Sequence, residues 1–137
     1  MGNDLLAMTT SQLIQGFARH HLTPIDYWDC LERHIARWEP LIRALYAYDP
    51  ETARREASHS SERWVRGTPK GPLDGVPVTV KELIATAGVP VPQGTAATDL
   101  QPAVCDAPPA ARLREAGAII FAKTTCPDFG MLTSGLS

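Results

Sequence analysis

Over the first 66 positions, apolar residues recur every three or four places; further on they gather into short unbroken runs. The first pattern predicts amphipathic helices and the second predicts buried strands. Leu13, Ile14 and Phe17 mark one side of a first helix. Thr9-Thr10-Ser11-Gln12 ahead of them fits a capping box, in which a hydroxyl and an amide side chain satisfy end amides reciprocally. A second helix is expected from Thr23. Thr23 can cap it, Pro24 suits a first turn that needs no N–H, and Asp26 favours the positive end. Ile25, Trp28, Leu31, Ile35 and Trp38 then form one apolar stripe, and Pro40 is expected to end it. A third helix is expected from Asp49-Pro50 to about Arg66, with Ala53, Ala57 and Trp64 turned inward.

From Gly67 onward the chain carries eight of its ten glycines and nine of its twelve prolines. Val76-Pro77-Val78-Thr79-Val80 is a β-branched run that predicts a strand ending at Lys81, with Pro77 suited to a strand start or a sheet edge. Asp106 is expected to cap a helix through Pro108, Ala111, Leu113 and Ala116, which Gly117 stops. Ala118-Ile119-Ile120-Phe121-Ala122 follows as a buried strand. Helix, glycine and apolar strand make the second half of a βαβ unit, so the fold class is α/β. The stretch 82–105 is too irregular for a plain crossover, and long connections of that kind are usually functional.

With 137 residues, 44% apolar and 20% charged, the chain is long enough for one packed domain and too apolar for wholesale disorder. A net charge of −2 and a pI near 6.0 give no bulk attraction to nucleic acid or anionic lipid. No apolar run approaches the roughly 18 residues of a membrane span. The N-terminus lacks the basic region of a secretory signal. Cys30, Cys105 and Cys126 are an odd set without metal-type spacing, which reads as free thiols in a reducing cytoplasm. His20 and His21 are consecutive and diverge on a helix, so with His34 they do not predict a metal site.

Lys81 is the strongest single lead. It follows an apolar strand directly, and in open α/β sheets ligands bind at the carboxyl ends of strands. A lysine desolvated there can lose its proton at neutral pH and act as a base. From position alone, a solvated side chain or a pairing with Glu82 is the more ordinary role. Cys126 could be a nucleophile only if a cation or helix terminus lowered its pKa. A buried, inert thiol is the plainer expectation.

Gly71-Pro72-Leu73-Asp74-Gly75-Val76-Pro77-Val78-Thr79-Val80-Lys81-Glu82-Leu83-Ile84 closely resembles the lysine motif of the amidase signature family. The stretch from Asp106 to Thr125 is similar to that family's helix–strand segment, which ends in a Gly-Lys-Thr-Asn-like turn. Cys126-Pro127-Asp128-Phe129-Gly130 resembles the segment that follows it. The likeness covers nearly the whole chain and is specific from Gly71 onward.

The resemblance implies a mixed-sheet α/β core, of which residues 1–66 would be an N-terminal helical portion and 67–137 the beginning. It implies hydrolysis of carboxamides by a Ser, cis-Ser, Lys triad through an acyl-enzyme, with Lys81 as the triad lysine. By the same likeness Gly130 and Met131 would lie near the acyl side of a small-molecule amide substrate; an ordinary loop is the equal alternative. Lys123 would be a lysine outside the triad, bonded to backbone or to a loop carbonyl. Glu82 stands where the family often has Asp and would orient the turn after Lys81 or be solvated. No cofactor, metal, nucleic-acid or membrane partner is implied, and a homodimer is the assembly to test.

The family's two serines belong to a Gly-Gly-Ser-Ser-Gly-Gly-type region, and no Gly-Gly-Ser occurs here. Ser134 and Ser137 do not match those positions. The expectation is therefore an N-terminal portion of a longer amidase, inactive alone, with sheet edges left uncovered. A non-catalytic binding or structural fragment is the competing class. An A-type component of an aminoacyl-tRNA amidotransferase, needing a partner and ATP, is the nearer alternative.

Overall fold

The computed structural model describes residues 5–131. Among them, helices α1 (Thr10–Ala18), α2 (Pro24–Ile42) and α3 (Pro50–Val65) come first, with strand β1 (Leu45–Tyr46) between the last two. Strand β2 (Pro77–Lys81), helix α4 (Pro108–Glu115), strand β3 (Ile119–Thr124) and a 3₁₀ turn (Asp128–Gly130) follow. This is the mixed α/β architecture that the two hydrophobic patterns predict.

The capping box expected at Thr9 forms, and a second one forms at Thr23. Thr9 accepts from Gln12 N while the Gln12 side chain accepts from Thr9 N. Thr23 and Asp26 repeat the arrangement, with Pro24 opening α2. Asp49 caps α3 through the Thr52 amide at 3.0 Å.

Three expectations for the helices need correction. α2 runs two residues beyond Pro40. The bond Pro40 cannot donate would go to Ala36, an exposed position whose carbonyl water can serve. Trp38 lies one turn past Ile35, beyond the end of the core, and is 41% exposed under the Arg37 guanidinium. Asp106 does not cap α4. The N-cap is Ala107, without a side-chain bond. Pro108 and Pro109 lack the amides that a cap would serve. Asp106 instead accepts from Ala87 N at 2.8 Å and from Arg114 Nε at 3.0 Å, tying the irregular connection to the helix.

The sheet order is β1-β3-β2. β2 and β3 are parallel, with Val80 opposite Lys123 and Lys81 opposite Thr124, and α4 makes the crossover. β1 is antiparallel to β3, with Tyr46 opposite Lys123. Pro77 sits at the first residue of an edge strand, where its missing N–H does least harm.

α2 is buried on two sides. Trp28, 1% exposed, packs with Ala53, Ala57, Ile119, Phe121 and Ala122. Its ring meets Phe121 edge-on at 5.3 Å between centroids. Tyr27 belongs to a second cluster with Leu13, Phe17 and Val76. Asp74, fully buried, joins the helical layer to the loop that feeds β2. It accepts from Arg63 Nε at 2.9 Å and Nη2 at 2.6 Å, and from Lys70 N at 2.9 Å. Burial works to raise the Asp74 carboxyl. The Arg63 hydrogen bonds and the Lys70 amide outweigh it and hold the group below the usual carboxylate range.

Candidate active site

The parallel pairing of β2 with β3 brings their carboxyl ends together, and the residues that leave those ends form the site. Consecutive residues on a strand point to opposite faces. Lys81 therefore shares one face with Thr124, its register partner, while Val80 and Lys123 share the other. Glu82 continues the chain, its amide bonded to Thr124 O at 2.9 Å.

Lys81 stands at the strand end, as the apolar run predicts. It is exposed, whereas a base working by desolvation would have walls around it. β2 is the edge of the described sheet, so among the described residues no strand covers its outer side. One wall is present. Gly130 (φ +65°) lies so close that a Cβ there would be 3.0 Å from Lys81 Nζ and 2.5 Å from Leu83 Cδ1. Lys81 and Gly130 are thus brought together. Met131 is 84% exposed. Ser134 and Ser137 lie outside the described residues.

Glu82, in the turn just past β2, is not solvated. It is 3% exposed, and its Oε1 accepts from Gly94 N at 2.5 Å. A cleft of ≈ 500 Å³ adjoins it, lined by Tyr46, Glu82, Gly94, Thr95, Thr125 and Asp128. Burial raises the Tyr46 phenol, and the Glu82 charge adds to this.

Lys123 departs from its expected hydrogen bond to a carbonyl. It is 2% exposed and its Nζ has no hydrogen-bond partner among the described residues. Its side chain shares the inner face with Val80, where the neighbouring groups are the Glu82 carboxylate and the Cys126 thiol. Burial lowers its pKa, and the Glu82 charge opposes that shift. Cys126 is 3% exposed, and burial followed by the Glu82 charge pushes its thiol up. That disfavours the thiolate a nucleophile needs. Among the described residues no group of three His, Cys, Asp or Glu side chains is placed to hold a metal ion. No helix among them is long and apolar enough to cross a membrane.

Sequence reasoning missed Gly94. The available signal was a glycine in the Pro92-Gln93-Gly94-Thr95 turn of the long connection, but nothing in the pattern says which carboxylate that turn would meet.

Comparison with known proteins speaks to the family and the fold. The family model described as Amidase matches residues 29–137. The chain is 34% identical to an amidase of Pseudomonas putida over 127 residues, 93% of this chain and 27% of that protein. It is 33% identical over 127 residues to the A-type component of the glutamyl-tRNA(Gln) amidotransferase of Roseiflexus sp. (strain RS-1), again 93% of this chain and 26% of that protein. Among solved structures it is similar to a crystal structure of an amidase, with a TM-score of 0.79 and 35% identity over 90% of this chain and 28% of the other. The chain spans about a quarter of the length of these relatives. With four-fifths of its length matched by one family, and with the fold shared, the chain belongs to the amidase family.

Proposed function

We propose that this chain supplies the proton-accepting lysine, and part of the wall around it, for an enzyme that cleaves carboxamide C–N bonds. The observation that carries this reading is Lys81 Nζ at the carboxyl end of a parallel strand, packed against Gly130. A serine hydroxyl is a weak nucleophile until a neighbouring base takes its proton. In the proposed scheme the Lys81 amine accepts a proton from a bridging serine, which accepts one from the nucleophilic serine. The serine oxygen bonds to the carbonyl carbon as its proton leaves. The C–N bond then breaks, the proton passes to the departing nitrogen, and water hydrolyses the acyl-enzyme. In this scheme both serines are supplied by polypeptide outside these 137 residues. Residues 1–137 are on this reading the N-terminal portion of a single amidase domain. Gly130 and Met131 border the acyl side of a small-molecule amide, and the chain alone is inactive.

A second reading has support in the relatives that are A-type components of glutamyl-tRNA(Gln) amidotransferases. It uses the same lysine chemistry but passes the released ammonia to an activated acyl group, with ATP and a partner protein.

The test is steady-state hydrolysis of a panel of aliphatic and aryl amides by the natural full-length polypeptide. Lys81→Ala is expected to lower kcat/KM by about 10³-fold, the scale of a lost general base. Retained activity in that variant ends the proposal. So does hydrolysis by the 137-residue chain alone that disappears on Lys81→Ala. Ammonia transfer that depends on ATP and a partner selects the second reading.

A further inference from the structure

We infer that Glu82 is a positioning residue for Lys81: its carboxylate holds the 92–95 turn, and that turn holds the Gly130 wall in place against the lysine. The inference deepens the reading of Lys81 given above and rests on it.

Glu82 follows an exposed lysine, yet it is 3% exposed. Glu82 lies in the turn just past β2, and among the described residues no ion pair joins it to its neighbour Lys81. A buried carboxylate is unfavourable unless hydrogen-bonded. Its bond is to the Gly94 amide at 2.5 Å, a charge-assisted contact.

Gly94 is fixed from its other side as well. Its φ is +70°, and a Cβ there would lie 2.5 Å from both the Cys126 and the Pro127 carbonyl oxygens. The 92–95 turn therefore lies directly on the segment leaving β3. One residue away, Gln93 O accepts from Phe129 N at 2.7 Å. Both partners of that bond hold left-handed backbone, Gln93 at φ 60° and Phe129 at φ 51°. Such conformations persist in non-glycine residues only when their surroundings over-determine them. Phe129 leads into Gly130, whose own amide bonds to Pro127 O at 2.7 Å and which abuts Lys81 Nζ.

The contacts close a circuit: Lys81 to Glu82 along the chain, Glu82 to Gly94, Gln93 to Phe129, and Gly130 back to Lys81. The Glu82 carboxylate is the side-chain hydrogen bond in that ring; the other links are backbone bonds and van der Waals contacts. Removing that acceptor frees the 92–95 turn, and with it the surface that limits where the Lys81 amine can sit.

The experiment uses the natural full-length polypeptide with Glu82→Met, which removes the acceptor, and Glu82→Gln, which keeps an oxygen of the same shape. Hydrogen exchange is followed by mass spectrometry on peptides spanning 92–95 and 128–130, alongside steady-state hydrolysis of a minimal amide. Glu82→Met is expected to speed exchange about tenfold in both segments together, the scale of one lost hydrogen bond. Its kcat is expected to fall about 10²-fold with KM nearly unchanged, as for a misplaced reacting group. Glu82→Gln is expected to recover most of both. Wild-type exchange in both segments of Glu82→Met overturns the inference, as does a loss in Glu82→Gln equal to that in Glu82→Met. Should Glu82→Met not fold, the wild type decides: the two segments must open together with one urea dependence, and independent opening overturns the coupling. These exchange results do not depend on Lys81 chemistry. The reading of Lys81 itself fails separately, if Lys81→Ala still hydrolyses the amide.

Discussion

Around Trp28 the contacts are apolar. Ala53 and Ala57 of α3 let the indole approach, Phe121 meets it edge-on, and Ile119 and Ala122 complete the surface. At the carboxyl ends of β2 and β3 the contacts are of another kind. There the chain is held by backbone amides, a buried carboxylate and glycines that leave no room for a Cβ. One lysine is exposed and another is buried without a hydrogen-bond partner among the described residues. The contrast teaches where each half of the fold gets its definition. The Trp28 region follows the rules of apolar burial except at the indole Nε1, which is buried without a hydrogen-bond partner among the described residues. The strand-end region breaks several of them at once, which is the usual mark of a site kept for chemistry.

The largest effect should come from cutting the apolar region. Trp28→Ala is expected to destabilise the protein by about 4 kcal/mol, the range for large-to-small changes in a packed core. Urea denaturation measures it. The contrast sharpens if exchange in the 92–95 peptide changes only through global unfolding. It breaks if that peptide opens locally in the variant, because the two regions would then share one packing unit.

Asp74 sits where the helical layer meets the loop feeding β2, and its removal should rank next. Asp74→Asn leaves the partly exposed Arg63 facing a neutral side chain, a loss of about 2 kcal/mol at pH 7 for hydrogen bonds to a charged group. The pH dependence has a definite sign. The folded-state pKa lies below the ordinary value of 3.8, so the unfolded chain binds the proton more readily. The stabilisation is complete above that value and fades as pH falls through the lowered one. The gap between wild type and Asp74→Asn should therefore narrow only in acid below pH 3.8. Thermal unfolding across that range checks it, and a gap independent of pH would remove the ion pair from the account.

The same contrast explains what could be read in advance. Thr9 and Thr23 cap where expected, and the helix expected from Asp49 starts there, because a cap is a local bond between residues three apart. Ile25, Trp28 and Leu31 sit on the core side because periodicity is local too. Trp38 keeps the period yet is exposed, since a stripe does not say where the surface it packs on stops. Asp106 looks like a cap, but two prolines removed the amides and Arg114 took the carboxylate. Lys81 at a strand end was legible from the run before it. The partner of Glu82 was not: Gly94 lies 12 residues on, across an irregular connection whose path no pattern encodes. Gly130 beside Lys81 depends on that same path.

The smallest effect is also the one whose sign is most informative. Lys123 is 2% exposed, and its ammonium has the Glu82 charge nearby without a hydrogen bond among the described residues. Burial outweighs the Glu82 attraction at Lys123, so its charged form is unfavourable in the folded protein, and an apolar side chain of similar length removes that cost. Lys123→Met is therefore expected to raise stability by about 1 kcal/mol near pH 7. Burial lowers the folded pKa of Lys123, so the unfolded chain binds the proton more tightly, and wild-type stability rises with pH between the lowered value and 10.5. The advantage of Lys123→Met should shrink across that alkaline window. Urea denaturation at several pH values measures both features. A loss of several kcal/mol instead of a gain would mean that the ammonium is fully paired in the protein. The strand-end region would then hold its charges in satisfied pairs, and its contrast with the core around Trp28 would come down to polarity alone.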